Sequence, residues 1–209
     1  MMRYLTTVLL SVFLHAGAAM AIEEPKYAVE SKADHYEIRK YEATLVAETK
    51  IEGRFDDAGN QAFRILADYI FGNNKAKTKL AMTAPVTQQP PTEKIAMTAP
   101  VNQMQTPAGF LVQFTMPSGF TLATLPEPND ARVHLREIPP RRVAVYSYTG
   151  SWSESRYTEM LAEFRKQLQK SGVPTQGEPV FARFNSPFTL WFLRRNEIWL
   201  ELGQSSDRH

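Results

Sequence analysis

Cysteine is absent from this 209-residue chain, and histidine is scarce, with four residues. Without thiols the chain can form no disulfide, no cysteine nucleophile, no thiolate metal site and no lipid-modified N-terminal cysteine. Apolar residues make up 43% of the chain and charged residues 22%, which is an ordinary balance for a globular protein. We therefore expect a single domain that is stabilised by its hydrophobic core alone.

An excess of one charge is also missing. Lys and Arg number 24 against 22 Asp and Glu, so the formal charge is only +2, whereas nucleic-acid-binding proteins carry a concentrated basic face. The sequence has no G-x-S-x-G elbow, no H-E-x-x-H pair and no glycine-rich phosphate loop, which are frequent signatures of catalysis. The sequence therefore predicts a protein that neither binds nucleic acid nor acts as an enzyme.

A long hydrophobic run occurs at the N-terminus. Arg3 precedes an apolar stretch at residues 5–14, and Ala19 and Ala21 supply small residues at the positions that a signal peptidase reads. The stretch is shorter than the roughly 20 residues of a membrane span. The pattern predicts a signal peptide over residues 1–21 and a periplasmic or secreted mature protein without stable membrane insertion. An uncleaved N-terminal anchor is the alternative.

Residues 38–55 align without gaps on residues 135–152. Four aligned positions are identical, which exceeds the single match that chance would give for about twenty residue types: Arg39/Arg136, Val46/Val143, Ala47/Ala144 and Gly53/Gly150. An amphipathic helical pattern follows each copy. Its apolar positions are Ala62, Phe63, Leu66 and Ile70 in the first, and Tyr157, Leu161, Phe164 and Leu168 in the second.

Helix caps can be predicted for both patterns. Asp56 or Asp57 can cap the first helix, and Ser153 or Ser155 the second, since short polar side chains accept from the free N–H groups of a first turn. Glycines, Gly72 and Gly172, follow the two helices.

Strands are expected at residues 110–116 and 196–202, and a proline-rich connector at residues 121–132. We predict an α+β fold in residues 22–209, with a pseudo-twofold repeat of β-β-α-β-β units at about 36–116 and 133–202. Together these units would form a distorted antiparallel sheet or open barrel flanked by two helices.

The segment A-M-T-A-P-V occurs twice, at residues 81–86 and 96–101, with a lysine shortly before each copy. The prolines favour an extended backbone and remove a ladder donor, so each copy is predicted to be a strand that ends or runs along an edge. Met82 and Met97 either fill core gaps or line an apolar cleft. In the second case Lys79 and Lys94 would lie at its rim and suit a flat apolar ligand that carries carboxylates.

Several motifs carry a family resemblance: Y-E-I-R-K-Y at 36–41, the paired K-x-A-M-T-A-P-V segments, T-L-P-E-P-N-D, and N-S-P-F followed by R-R-N-E-I-W-L-E-L. Over about residues 27–202 the chain resembles the SOUL family of haem-binding proteins. The resemblance implies a pseudo-twofold, barrel-like sheet flanked by two helices. It also implies binding of haem or a related tetrapyrrole in an apolar cleft, for transport, buffering or sequestration. The same fold occurs in bacterial effector-binding domains, so a general module for apolar small molecules is the alternative.

The resemblance also suggests site residues. Some members have a histidine, thought to ligate iron, where this chain has Lys40, so axial ligation there is not implied and Lys40 is kept as a candidate contact. Others hold the porphyrin beside the first helix, which implies Phe63 and Ile70 as cleft wall and Arg64 as a partner for a propionate. Core packing is the alternative for Phe63 and Ile70, and a solvated helix arginine is the alternative for Arg64. His35 is a candidate iron ligand, and a solvated surface histidine is the alternative.

Two further alternatives stay open. Relatives of the wider fold include hydrolases that use a glutamate, which makes Glu37, Glu48 and Glu197 conceivable bases. An interaction protein with no ligand would instead leave the cleft filled by its own side chains. Because motifs for an activated nucleophile are absent, binding is preferred to catalysis, and the resemblance implies haem or a related tetrapyrrole as the ligand.

Overall fold

The computed structural model describes residues 22–76 and 92–203. The predicted signal peptide and the first A-M-T-A-P-V copy lie outside these residues. Within them the secondary structure comprises strands, two α-helices and one short 3-10 turn. The elements are β1 (Tyr27–Lys32), β2 (Glu37–Tyr41), β3 (Thr44–Ile51), α1 (Phe55–Ile70), β4 (Asn74–Lys75), β5 (Val101–Thr106), β6 (Gly109–Thr115), β7 (Glu127–Pro128), β8 (His134–Ile138), β9 (Arg141–Thr149), α2 (Glu154–Lys170), β10 (Thr175–Arg183), the 3-10 turn Trp191–Leu193 and β11 (Arg195–Leu202).

Nine strands form one antiparallel sheet in the order β1-β2-β9-β11-β10-β5-β6-β3-β8. The sheet curls into a half-barrel, so the predicted α+β class with two flanking helices is confirmed. Strand β2 pairs with β9 and β8 pairs with β3, so the two predicted halves exchange a strand. The internal repeat itself stays a prediction from the sequence.

Helix α1 packs its apolar stripe against the sheet, with Ala58, Ala62 and Leu66 fully buried. Its N-cap is Arg54, which makes no side-chain cap hydrogen bond, so the predicted aspartate cap is wrong. Asp56 and Asp57 lie inside the first turn, where a negative charge is stabilised by the helix dipole. The cap position needs an extended backbone, and that conformation falls on Arg54.

Helix α2 begins as predicted, because the Ser153 side chain accepts a hydrogen bond from the backbone N–H of Arg156. Beyond its other end, Gly172 adopts a φ of +66°, a conformation that favours glycine. Phe164 and Leu168 are the buried residues of this helix. They pack on the β2, β9, β10 and β11 part of the sheet.

Alternate strand residues divide the sheet into two faces. On β11, Ile198 and Leu200 join the core beneath α2, while Trp199 joins a separate cluster on the opposite side. We call the first side the helix face and the second the inner face of the half-barrel.

The strand prediction for the second A-M-T-A-P-V copy is wrong, because residues 96–100 form no strand and β5 begins at Val101. Pro100 has no N–H to donate. The N–H groups around it bind elsewhere: that of Ile95 donates to the carbonyl of Ile70, and that of Ala99 to the carbonyl of Glu23. The segment is therefore held by loop contacts rather than by a strand ladder.

Candidate binding cleft beside the first helix

An apolar cavity of about 190 Å³ lies beside α1 on the helix face. Its apolar walls are Phe63 of α1, Val101 of β5, Trp152 and Pro187. A second cavity of about 250 Å³ shares Asn60, Trp152 and Arg183 with the first and continues to Phe55 and Gln103. Because the two cavities share lining residues, we treat them as one groove and call it the α1 cleft.

Gly59 of α1 leaves space for the side chains of Arg183 and Gln103 at the floor of the α1 cleft. Gly59 is buried in α1, although glycine is unfavourable inside a helix. A Cβ atom placed there would lie 2.7 Å from both terminal nitrogens of Arg183 and 2.9 Å from Gln103 Oε1. The bare backbone therefore lets the Arg183 guanidinium lie directly against the helix.

Trp152 forms the opposite wall and is fixed by polar contacts. Its Nε1 donates to Asn196 Oδ1 at 2.8 Å. The guanidinium of Arg194 lies 4.1 Å from the ring centroid, and that of Arg183 lies 5.4 Å from it. The indole is thus held in one orientation at the place where it lines both cavities.

Arg183 is electrostatically unusual. Its Nε atom is buried and has no hydrogen-bond partner, and no ion pair to its guanidinium is found within the described residues. Burial lowers the pKa of this group to about 10, so it remains a cation at neutral pH. Buried donors are nearly always satisfied, and the group that best satisfies a guanidinium is a carboxylate.

The inner face carries a buried arginine, Arg39, whose Nε and Nη1 atoms both have hydrogen-bond partners. Arg39 donates to Glu37 at 2.8 Å and to Glu197 at 3.1 Å. Glu197 also accepts from Trp199 Nε1 at 2.7 Å and from Ser147 Oγ at 3.3 Å. Burial by itself would lower the pKa of Arg39. The charge of Glu197 and the hydrogen bonds to Tyr41 and Glu37 outweigh burial and raise this pKa above its ordinary value.

Within the described residues, the inner face has a small cavity beside its aromatic cluster and a wider polar depression of about 290 Å³ that is bordered by Arg39, Val145 and Ser147. The cavity beside Tyr41, Asn102 and Trp199 measures about 10 Å³, which is close to the room that a single water needs. The rings of Tyr41 and Trp199 pack 4.9 Å apart across it. A drug-sized ligand does not fit there, whereas the α1 cleft is open.

The structure brings only part of the predicted site together. Phe63 and Arg64 line the α1 cleft, whereas Ile70 is 1% exposed and belongs to the core under α1. Lys40, Lys94 and Met97 are exposed and line none of the cavities described above. Lys79 and Met82 lie outside the described residues.

His35 is exposed and borders a polar depression of about 290 Å³ at the β1–β2 turn. Within residues 22–76 and 92–203, no three His, Asp or Glu side chains converge as a metal site. In the same residues, neither helix has the length and hydropathy to span a membrane.

The three glutamates considered as bases are each engaged by an arginine. Glu37 and Glu197 contact Arg39, and Glu48 lies 3.2 Å from Arg136. Their carboxylates therefore act as ion-pair partners in this fold.

Sequence reasoning missed Gly59, Trp152 and Arg183. Signals for two of them were present: a glycine interrupts the apolar pattern of α1, and Trp152 aligns with Phe55 in the internal repeat. Arg183 carries no such signal, since an arginine after an apolar strand resembles any solvent-exposed strand end.

The chain is similar in sequence to a known family and to individual members of it. A family model described as SOUL heme-binding protein matches residues 22–201. Heme-binding protein 2 of Homo sapiens is 28% identical over 192 residues, which cover 88% of each chain. Heme-binding protein 2 of Mus musculus is 29% identical over 189 residues, which cover 86% of each.

Solved structures share the architecture at low identity. The EcmrR C-terminal domain superposes with a TM-score of 0.55 at 10% identity, covering 85% of this chain and 98% of that one. A hydrolase from Listeria innocua gives a TM-score of 0.52 at 10% identity, covering 83% and 94%. At this low identity, these similarities show a common fold and carry no information about function.

Proposed function

This chain belongs to the SOUL heme-binding protein family, and we propose that its α1 cleft binds haem or a related tetrapyrrole. The family is one of binding proteins rather than of enzymes. The observation that carries the proposal is the cleft itself, an apolar groove between Phe63 and Trp152 with an unpaired guanidinium at its floor. A tetrapyrrole offers the matching chemistry, a flat apolar ring with acidic side chains.

The cleft fits part of such a ligand. Its two cavities measure about 190 and 250 Å³, each below the 300–1,000 Å³ typical of ligand pockets. The segment after β10, which borders the cleft at Pro187, exposes large apolar side chains: Phe188, Leu190, Trp191, Phe192 and Leu193. Exposed apolar clusters mark binding surfaces, so the remainder of the ring would lie along this segment.

The chain's own residues would bind and orient the ring without an iron ligand in the cleft. His35 lies at the β1–β2 turn and His134 begins β8, and neither is among the residues that line the cleft. Bound haem would supply an iron centre. Phe63 and Trp152 would stack on its ring, and the arginines would bind its acids.

We extend the proposal to transport, buffering or sequestration of the ligand in the periplasm or outside the cell. The signal-peptide pattern over residues 1–21 supports it. If this is so, N-terminal sequencing of exported protein will begin at Ile22. An unprocessed Met1, or retention in the cytoplasm, would contradict it.

A general module for apolar small molecules is the second candidate. The specific observation in its favour is the apolar part of the lining, Phe63, Val101, Trp152 and Pro187, because apolar contacts distinguish poorly between one flat molecule and another. This candidate predicts comparable affinity for unrelated flat hydrophobes.

The test is a titration of residues 22–209 with haemin and with iron-free protoporphyrin, followed by Soret absorption. We expect saturable binding of both compounds at one per chain. Phe63→Ala should weaken both by about tenfold, because it removes much of one aromatic wall.

Phe71→Ala is the matched control, since Phe71 is 58% exposed just beyond the same helix and does not line the cleft. Failure of both porphyrins to saturate the wild type would refute the proposed function. Equal binding of unrelated flat hydrophobes would favour the general module.

A further inference from the structure

Arg183 enters the cleft from the sheet, not from the loop that borders it. It is the last residue of β10 and pairs in register with Val101 of β5 and Asn196 of β11. Two residues earlier on the same strand, Phe181 is buried in the core under α2. Because alternate residues share a face, Arg183 projects from the helix face and lies under α1.

The surroundings of Arg183 hold it in place but leave its charge unmatched. The ring centroids of Trp152 and Phe181 lie 5.4 and 5.8 Å from its guanidinium carbon. Asp56 is the carboxylate that lines the same cavity, and its Oδ1 instead accepts from the backbone N–H of Glu154 at 3.2 Å. The protein thus orients a cation with aromatic contacts and keeps the neighbouring carboxylate engaged elsewhere.

We propose that Arg183 binds a carboxylate of the ligand, so that the ligand enters the α1 cleft with an acidic group inward. This inference rests on the proposed function and narrows it to flat apolar acids. Among the described residues the buried Nε of Arg183 has no hydrogen-bond partner, which is costly, and a carboxylate can accept from two N–H groups of a guanidinium at once. Arg64, which is exposed at the rim, would hold any outward acid more weakly, because solvent screens it.

The experiment compares protoporphyrin IX with its dimethyl ester, which keeps the ring and removes both negative charges. Affinities are measured in one buffer and cosolvent for the wild type, Arg183→Met, Arg183→Lys and Arg165→Met. Arg165 is an exposed arginine of α2 that lines neither cavity, so its variant changes net charge equally and controls for long-range electrostatics.

We expect the wild type to bind the diacid about tenfold or more tightly than the diester, the ratio for one charge-assisted hydrogen-bonded pair. Arg183→Met should lower diacid affinity to the diester level and leave diester affinity unchanged. Arg183→Lys should restore part of the difference, and Arg165→Met should resemble the wild type.

Thermal unfolding of the ligand-free proteins supplies a second readout. Arg183→Met should melt at the same temperature as the wild type or higher, because it removes an uncompensated buried charge. A structural arginine would behave oppositely, with a lower melting temperature and equal losses for diacid and diester. That pattern would overturn the inference while leaving porphyrin binding intact, whereas no binding of either compound to the wild type would refute the proposed function instead.

Discussion

Each face of the sheet carries an arginine with buried guanidinium atoms, Arg39 on the inner face and Arg183 on the helix face, and the two have different partners. On the inner face, Arg39 contacts Glu37, Glu197 and the Tyr41 hydroxyl. On the helix face, the Nε of Arg183 is buried without a partner. A completed network closes a surface to other molecules, whereas an incomplete one leaves binding capacity for a ligand. Under the proposal above, the same residue type has a structural role on one face and a recognition role on the other.

Packing follows the same division. Beside Tyr41 and Trp199, whose ring centroids lie 4.9 Å apart, the inner face retains a cavity of about 10 Å³. The α1 cleft retains cavities of about 190 and 250 Å³. A ligand inside the half-barrel would have to displace a buried ion pair, so either candidate function places the ligand beside α1.

The largest expected effect comes from breaking the completed network. Glu197→Ala should lower the free energy of unfolding by about 3–5 kcal/mol, because Arg39 would remain buried without its main partner. Urea denaturation measures the change. Glu37→Ala is the matched control and should cost less than about 2 kcal/mol, since the Glu37 side chain is 21% exposed and solvent can replace it. Equal losses would show that burial does not decide the strength of these pairs.

Gly59→Ala should have an intermediate effect that separates binding from stability. The new methyl would meet the flexible ends of Arg183 and Gln103, so these side chains can shift. Alanine also favours the helix by about 1 kcal/mol, and we expect the free energy of unfolding to change by less than about 1 kcal/mol. Displacement of the guanidinium should nevertheless weaken diacid porphyrin more than diester.

The control for that variant is Gly119→Ala, because a Cβ at Gly119 would meet no atom within 4 Å. A strong destabilisation by Gly59→Ala alone would mean that Arg183 cannot move. Its position would then be fixed by packing, and the contrast between the two faces would weaken.

The smallest effect on stability is expected for the ion pair between Arg132 and Asp130 at the surface. Hydrogen bonds from Arg132 lower the pKa of Asp130 to about 2. Because the folded pKa is depressed, this stabilisation is present above the unfolded value near 3.9 and is lost as pH falls toward 2. The urea midpoint of the wild type should decrease between pH 4 and pH 2. In Asp130→Asn this decrease should be slightly smaller. An effect as large as that of Glu197→Ala would contradict the expectation that buried ion pairs affect stability more than exposed ones.

Much of the fold could be predicted because it depends on local patterns. The apolar spacing of Ala62, Leu66 and Ile70 indicates α1, and Ser153 marks the start of α2. The cap of α1 and the strand assignment at residues 96–100 failed. At residues 96–100, contacts with distant residues, such as that of Ala99 with Glu23, take the place of a strand ladder.

The site could be predicted only in part. The sequence indicates Phe63 and Arg64 because they lie on or beside the apolar stripe of α1. It also suggested Ile70, Lys40, Lys94 and Met97, but sequence spacing does not reveal which part of a stripe the sheet covers. Ile70 is buried there, and the other three lie away from the cleft.

The sequence by itself determined the family, the α+β class and the two amphipathic helices, because these depend on motifs and on periodicities of a few residues. Only the tertiary structure decided which arginine is paired. Arg39 meets Glu197 across 158 positions of sequence, and Arg183 meets Gly59 across the sheet–helix interface. Charge complementarity between such distant residues exists only once the chain has folded. The difference in pairing between Arg39 and Arg183 is therefore a property of the fold.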